Sequence, residues 1–368
     1  MNNKVILCAN PLTENKKHLK DIRKAITKVI TSGSYILGPE VEKFENNLSQ
    51  YLGNKYCVGV NSGTDALIFS LKALDIKTND EVIVPSHTAT ATVSAIISVG
   101  ATPIFVDIED KNLNIDPIEI EKKITTRTKA IIMVHIYGHP CEITKIMEIA
   151  DRNKIHVLED CAQSLGATYR SKQTGSFGIL SCFSFYPTKN LGGIGDAGAV
   201  STDNKELFEK IKMFRQYGWN EERVSILESN QSRLDEIQAA ILNVKMKYLD
   251  ETLLERNEIA EIYSKNLNSL EIEVPNISPN NQHSFHLYVI RIKNRQEVIE
   301  KLNSANIYPG IHYKIPVHLN PVFAKYSHDA LPVTERIASE ILSLPLYPGL
   351  KNREILKVVE EIKNASKF

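Results

Sequence analysis

The sequence predicts an α/β protein in two parts: a large domain on a mostly parallel sheet and a smaller α+β C-terminal domain. Three observations predict it. From residue 56 to residue 217, short apolar runs alternate with amphipathic helical patterns, and strands separated by helices imply right-handed crossovers and parallel pairing. A long helical pattern from Leu234 to about Leu267 ends that alternation and precedes a tail of different rhythm. The length, 368 residues of which 42% are hydrophobic, suffices for one large core and one smaller one. The boundary is placed near residue 245, with the large domain over 1–245 and the small one over 246–368.

The elements follow in order. Leu19, Ile22, Ile26, Val29 and Ile30 recur at helical spacing within His18–Thr31. Gly33–Pro39 is a turn-rich loop, and Glu40–Leu52 is a second helix. Strand 56–60 with helix 64–74 opens the alternation. Strand 81–84 with helix 90–99, strand 103–106 with helix 117–124, and strand 129–134 with helix 142–152 continue it. Strands 155–159, 180–185 and 197–201 then lead to helix 205–217. Past the long helix, the spacing predicts a strand over His283–Ile292, a helix over Gln296–Ser304, loop over Pro309–Pro321, and helices over 333–342 and 352–364.

Composition excludes several classes. Forty-four basic residues balance 44 acidic ones, so no basic surplus suggests nucleic acid. No apolar run reaches membrane-spanning length. The start, Met1 to Cys8, carries no signal-peptide apolar region. Five cysteines without a C-x-x-C spacing predict reduced thiols and a cytoplasmic protein.

The chemistry centres on Ser181–Val200. An apolar strand turns at Pro187, presents Lys189, and runs into Gly192, Gly193, Gly195 and Gly198. Glycines allow close backbone approach, and a lysine held there is poised to form an imine with an aldehyde, as in enzymes that use pyridoxal phosphate (PLP). Upstream, a strand ends in Glu159-Asp160, where ligands bind in open α/β sheets. Asp160 suits the carboxylate that keeps a pyridine nitrogen protonated, and Gln163, one turn on, suits a ring oxygen. Ser62-Gly63-Thr64 opens a helix after a strand, which makes a phosphate site of free N–H groups.

These pieces together resemble the DegT/DnrJ/EryC1/StrS family of sugar aminotransferases. The resemblance rests on Ser62-Gly-Thr-Asp-Ala-Leu67, Glu159-Asp-Cys-Ala-Gln163, Ser184-Phe-Tyr-Pro-Thr-Lys189-Asn-Leu-Gly and Ser232-Arg-Leu-Asp-Glu-Ile-Gln-Ala-Ala240, in family order and spacing over nearly the whole chain. It implies PLP as cofactor and the aspartate aminotransferase-like fold, fold type I of PLP-dependent transferases. It also implies Lys189 as the catalytic residue, with Gly63, Thr64 and Ser184 at the cofactor phosphate. A homodimer with shared sites is implied, in which Gln231, or its rival Asn230, reaches the neighbouring subunit's phosphate. L-glutamate is the implied amino donor. The family pattern has an aromatic residue where this chain has Ala89, so His87 or an open face takes its place.

The loop Gly310–Leu319 is similar to that of members acting on nucleotide-linked 3-keto sugars. His312, Tyr313 and His318, with Tyr186, are the expected sugar contacts, because aromatic faces suit the apolar side of a pyranose and imidazoles its hydroxyls. The expected reaction is amination of a nucleotide-linked 3-keto-6-deoxyhexose, carried on dTDP. Alternatives at this stage are a 4-keto sugar on UDP or GDP, a dehydratase of the same fold, and a non-catalytic regulator. A nicotinamide oxidoreductase lacks its Gly-x-Gly-x-x-Gly. His283-x-x-His286, read in a strand, would point to opposite faces, so no metal is expected.

Overall fold

The computed structural model describes residues 5–268 and 272–365; the opening Met1–Lys4, considered above for a signal peptide, lies outside them. Seven strands form the central sheet: β1 (Tyr56–Val60), β2 (Glu81–Pro85), β3 (Thr102–Val106), β4 (Thr128–Val134), β5 (His156–Asp160), β6 (Leu180–Ser184) and β7 (Gly198–Thr202). Their order is 1-7-6-5-4-2-3, and β7 alone runs antiparallel to its neighbours. Both faces are apolar, as a helix-covered parallel sheet requires. Val82, Val84, Ile132 and Val134 face one core with Leu67 and Leu71, while Ile83, Ile131 and Met133 face another with Ile146 and Val157.

The register brings several strand ends to one edge. Val134 pairs with Asp160, Asp160 with Cys182, Ser184 with Gly198, and Gly198 with Val60. The carboxyl ends of β1, β5 and β6 and the start of β7 therefore lie side by side, where Asn61–Thr64, Cys161–Gln163 and Phe185–Lys189 leave the sheet.

The smaller unit has its own core, in which Tyr263, Tyr288, Val298, Leu302, Ile355 and Ile362 pack together. Ile6 joins that core, and Ile6–Leu7 pairs in parallel with Ile307–Tyr308, so the chain's early residues pack with its late ones.

Three expectations are corrected. The long helix is two, Glu236–Met246 and Leu249–Leu267, because Tyr248 leaves helical geometry at φ −114° and ψ 10°. Its ring stacks on His18 with centroids 3.9 Å apart, a distant contact that the local pattern does not carry. The strand expected over His283–Ile292 is confined to Tyr288–Arg291. Its early part bends away: Phe285 has φ +43°, and its amide donates to His283 Nδ1 at 2.8 Å. Finally, the helix expected to reach residue 342 stops at Glu340, and Ile341–Leu344 pairs antiparallel with Tyr288–Arg291. Among the described residues no helix is long and apolar enough to cross a membrane.

Helix Pro39–Leu52 begins at Gly38 without a side-chain cap of its own. Instead Glu236, 1% exposed, accepts from the amides of Glu40 (3.0 Å) and Val41 (2.9 Å), a carboxylate at the positive end of the helix. Glu236→Ala strands two buried donors, so urea unfolding should show a loss of about 2–4 kcal/mol. A loss below about 0.5 kcal/mol, the scatter of surface substitutions, would show that the cap is dispensable.

Candidate active site

Lys189 is held by its own turn. Its amide donates to Tyr186 O (2.8 Å), and the amide of Gly193 donates to Phe185 O (2.8 Å), folding the loop back on the strand end. Gly192 must lack a side chain, because a Cβ there would sit 2.5 Å from Pro187 O. Gln238 clamps Ile194 at both backbone groups, accepting from N at 2.9 Å and donating to O at 2.7 Å. Asn190 ties the far side to Ser284 O (2.9 Å). Removal from water lowers the Lys189 amine to about 8, with the negative charge of Asp160 opposing the shift.

The two acids ending β5 have separate roles. Glu159 is 0% exposed and accepts from the amides of Gly175, Phe177 and Gly178, from Ser181 Oγ and from His135 Nε2. Burial raises its pKa, but His135 and those amides more than offset it and hold the carboxyl below its usual value. That residue is a saturated structural anion. Asp160 accepts from Thr92 Oγ1 (2.8 Å) and Ala162 N (3.1 Å), and burial raises it despite these donors and Lys189. A buried carboxylate raised in this way favours a cationic partner.

The phosphate-type site is built by close packing. A Cβ on Gly63 would lie 2.7 Å from Ser184 Cβ, and one on Gly198 would lie 2.3 Å from Ser62 C. Ser62 caps helix Gly63–Ala73 by accepting from Asp65 N (3.1 Å), and the amides of Gly63 and Thr64 have no acceptor among the described residues. Free amides at a helix start, beside the hydroxyls of Thr64 and Ser184, form an anion cradle.

Gln163, Tyr186, Lys189, His312 and Tyr313 line one cavity of about 270 Å³. Gln163 Oε1 accepts from Tyr137 N (2.7 Å), and its Nε2 donates to the Tyr313 hydroxyl (2.9 Å). Burial pushes Tyr313 up to about 12, so it keeps its proton. His312 Nδ1 bonds Ser343 Oγ (2.9 Å), and burial with the nearby Lys189 lowers its pKa, leaving a neutral imidazole.

Four further expected residues sit apart from that cavity wall. His318 is 1% exposed and does not line the cavity: its Nδ1 meets Ser86 Oγ at 2.5 Å and its Nε2 meets Glu335 at 3.4 Å. It anchors the loop to the end of β2, so its expected sugar contact is withdrawn. Asn230 and Gln231 are exposed, and the neighbouring Ser232 Oγ donates to Asp65 Oδ2 (2.9 Å) at the helix start of the same chain. His87, 1% exposed, bonds the Tyr137 hydroxyl through Nε2 (2.6 Å), while its Nδ1 has no partner among the described residues.

Sequence reasoning missed Arg256, His286 and, from the segment Cys8–Glu14, Cys8, Ala9, Asn10, Pro11 and Glu14, which line the cavity. Arg256 had a signal: it interrupts the stripe Leu249, Leu253, Ala260, Tyr263, Leu267 on the buried side of its helix. The Cys8–Glu14 segment had none.

The profile of the DegT/DnrJ/EryC1/StrS aminotransferase family matches residues 16–363. The chain belongs to this family. It is similar to a dTDP-3-amino-3,6-dideoxy-alpha-D-galactopyranose transaminase of Aneurinibacillus thermoaerophilus, 43% identical over 95% of this chain and 96% of that one. Its fold superposes on S. venezuelae DesV, solved with a ketimine intermediate, at a TM-score of 0.97, with 38% identity over 99% of each chain. A second likeness is ntda from Bacillus subtilis with bound PMP, at a TM-score of 0.92 and 34% identity, covering 100% of this chain and 87% of that one. The family protein is an aminotransferase of the PLP-dependent fold, with PLP as its cofactor. Its residues fit that group: a buried amine near neutrality, a buried carboxylate suited to a cationic nitrogen, and a side-chain-free cradle of amides.

The depressed amine gives a pH test. In cofactor-free protein Lys189 becomes neutral as pH rises through about 8, so its reaction with trinitrobenzenesulfonate should have its midpoint there. An ordinary lysine has its midpoint near ~10.4. Asp160→Asn removes the opposing charge and should move the midpoint lower still. A midpoint above pH 10 would show that the amine is solvated.

Proposed function

We propose that the protein transfers the amino group of L-glutamate to a nucleotide-linked 3-keto-6-deoxyhexose, carried on dTDP, giving a 3-amino-3,6-dideoxy sugar nucleotide. The observation that carries this reading is the cavity wall beside Lys189, where Tyr186, His312 and Tyr313 stand together. The named activity of the 43%-identical relative agrees with it. Tyr186 is 53% exposed and offers a ring face, while His312 and Tyr313 are uncharged polar groups suited to hydroxyls.

Each role follows from its environment. PLP supplies an electron sink for the substrate carbon that loses its proton. Lys189 Nζ would hold the cofactor, and as a neutral amine it could take that proton and return it, which an ammonium cannot. Asp160 would hold the proton at the pyridine nitrogen. The amides of Gly63 and Thr64, with Ser184 Oγ, would hold the phosphate. Gln163 spends one N–H on Tyr313 and keeps a second for the ring oxygen. Where the family pattern has an aromatic residue this chain has Ala89, and His87, whose Nδ1 has no partner among the described residues, is the candidate to cover that ring face.

The active unit is a homodimer in this reading. Tyr35, Ile36, Ile194 and Ile237 are all exposed. The Ile36–Asp235 bridge and the Ile194–Gln238 bonds gather them on one face, which a second copy would cover. Asn230 and Gln231 are then the residues offered across it. We place the domain boundary near residue 245 and the protein in the cytoplasm, the latter in keeping with five free cysteines.

Incubation with glutamate and each keto sugar nucleotide, followed by NMR, should locate the new C–N bond at C3. Amination at C4 alone overturns the regiochemistry, and turnover of plain keto acids alone overturns the substrate class. His312→Asn should raise the sugar KM or lower kcat with the cofactor spectrum unchanged; a lost spectrum would place the loop at the cofactor instead.

Lys189→Ala should abolish turnover while the protein still folds and binds PLP. Mixed with a chain altered at both Asn230 and Gln231, it should give dimers that outperform both parents. Mixed dimers no better than either parent would sink the shared site.

A further inference from the structure

Arg256 is 3% exposed on helix Leu249–Leu267, yet it lines the same cavity as Lys189. Among the described residues no carboxylate lies within ion-pair distance of it. Its hydrogen bonds all leave from Nη1, to Phe285 O (3.1 Å) and His286 O (3.4 Å). Nε is buried without a partner among the described residues, and the Nε–Nη2 edge is the side of a guanidinium that grips a carboxylate through two parallel bonds. His286, 7% exposed, lines the cavity too, and its Nδ1 is also buried without a partner. Glu14 is the acid in that wall, but its charge is answered: Lys245 Nζ lies 2.7 Å away and also bonds Gly192 O. Burial lowers Arg256 only to about 10, with the more distant charges of Glu14 and Glu255 opposing the shift, so it is cationic at neutral pH while both of those acids already pair with lysines. A buried cation without a counter-ion is costly unless a ligand supplies one.

We infer that Arg256, through its Nε–Nη2 edge and assisted by His286, binds the α-carboxylate of the amino donor. This rests on the proposed function above, which calls for a donor amino acid without naming what holds it. The α-carboxylate is chosen over the side-chain acid by position. Among charged groups Lys189 acts most strongly on the His286 ring and Arg256 next, so this pair of donors lies beside the reacting amine. The α-carboxylate is attached to the very carbon that carries the donor's nitrogen. The sugar nucleotide has no such group, so one cavity serves two successive substrates with different parts of its wall: Arg256 and His286 for the donor, Tyr186, His312 and Tyr313 for the sugar.

The two half-reactions of the PLP-loaded enzyme separate these roles. Conversion by L-glutamate, followed in the visible spectrum, should exceed conversion by isoglutamine, its α-amide, on the order of 10- to 100-fold, the size of a hydrogen-bonded charge contact. Arg256→Gln should lose that margin, falling far more on glutamate than on isoglutamine or in the sugar half-reaction. Arg256→Lys keeps the charge but not the fork and should lose part of it, which provides the reading if the glutamine variant does not fold. An arginine that merely ties the 285–286 loop to its helix would lower both donors equally, and that result overturns the inference. Succinate, two carboxylates without an amine, gives a reading that needs no reaction. It should shift the spectrum of the wild-type holoenzyme and bind 10- to 100-fold more weakly to Arg256→Gln, on the same hydrogen-bond scale. If glutamate fails as donor while succinate still binds through Arg256, the donor in the proposed function is wrong and the anion site stands. Equal succinate binding by both proteins removes the site.

Discussion

The site depends on one packing constraint, the contact of bare backbone at Ser62–Gly63 with Ser184 and Gly198. Neither glycine has room for a side chain: a methyl on Gly63 would sit 2.7 Å from Ser184 Cβ, and one on Gly198 would sit 2.3 Å from Ser62 C. Because they touch, the free amides of one helix start lie against the end of the strand that leads to the lysine. The antiparallel β7 is what brings Gly198 there: it alone enters the sheet from the site edge. Interiors are close-packed and stiff, so this contact fixes the spacing between anion cradle and amine more firmly than any single hydrogen bond.

Around that frame, burial sorts the charges by how fully each is answered. Glu159 receives five donors and is locked as an anion, whereas its neighbour Asp160 receives two and is left raised. The same desolvation draws Lys189 toward neutrality. Adjacent acids in the sequence thus end with opposite duties, decided by which face of β5 each side chain leaves from and by what waits there.

Much of this was legible in the sequence. Period-two and helical spacing reported the strands and helices of the sheet because each element carries its own apolar pattern. Lys189, Asp160 and the Ser62–Thr64 turn were legible because glycine, acid and strand end coincide locally. What escaped is set by distant partners. The helical pattern runs unbroken through Lys247–Tyr248, yet the helix breaks there, where Tyr248 stacks on the distant ring of His18. His318 has the chemistry of a sugar contact, but Ser86 and Glu335 claim both of its nitrogens. Ile341–Leu344 reads as helix until Tyr288–Arg291 offers it a ladder. Arg256 looks like one more charged helix residue until the apolar stripe around it is counted.

The pairing of Ile6–Leu7 with Ile307–Tyr308 has a consequence for how the cavity comes into being. The segment that follows that short strand, Cys8–Glu14, forms part of the cavity wall, but its strand's partner is synthesised almost a whole chain later. Contacts so far apart in sequence close late, after the loops between them have been ordered. The central sheet and its lysine turn can therefore assemble during synthesis, while the cavity's last wall waits for the C-terminal unit. A nascent chain would carry the lysine turn and the helix start open to water, and only the finished protein would enclose them.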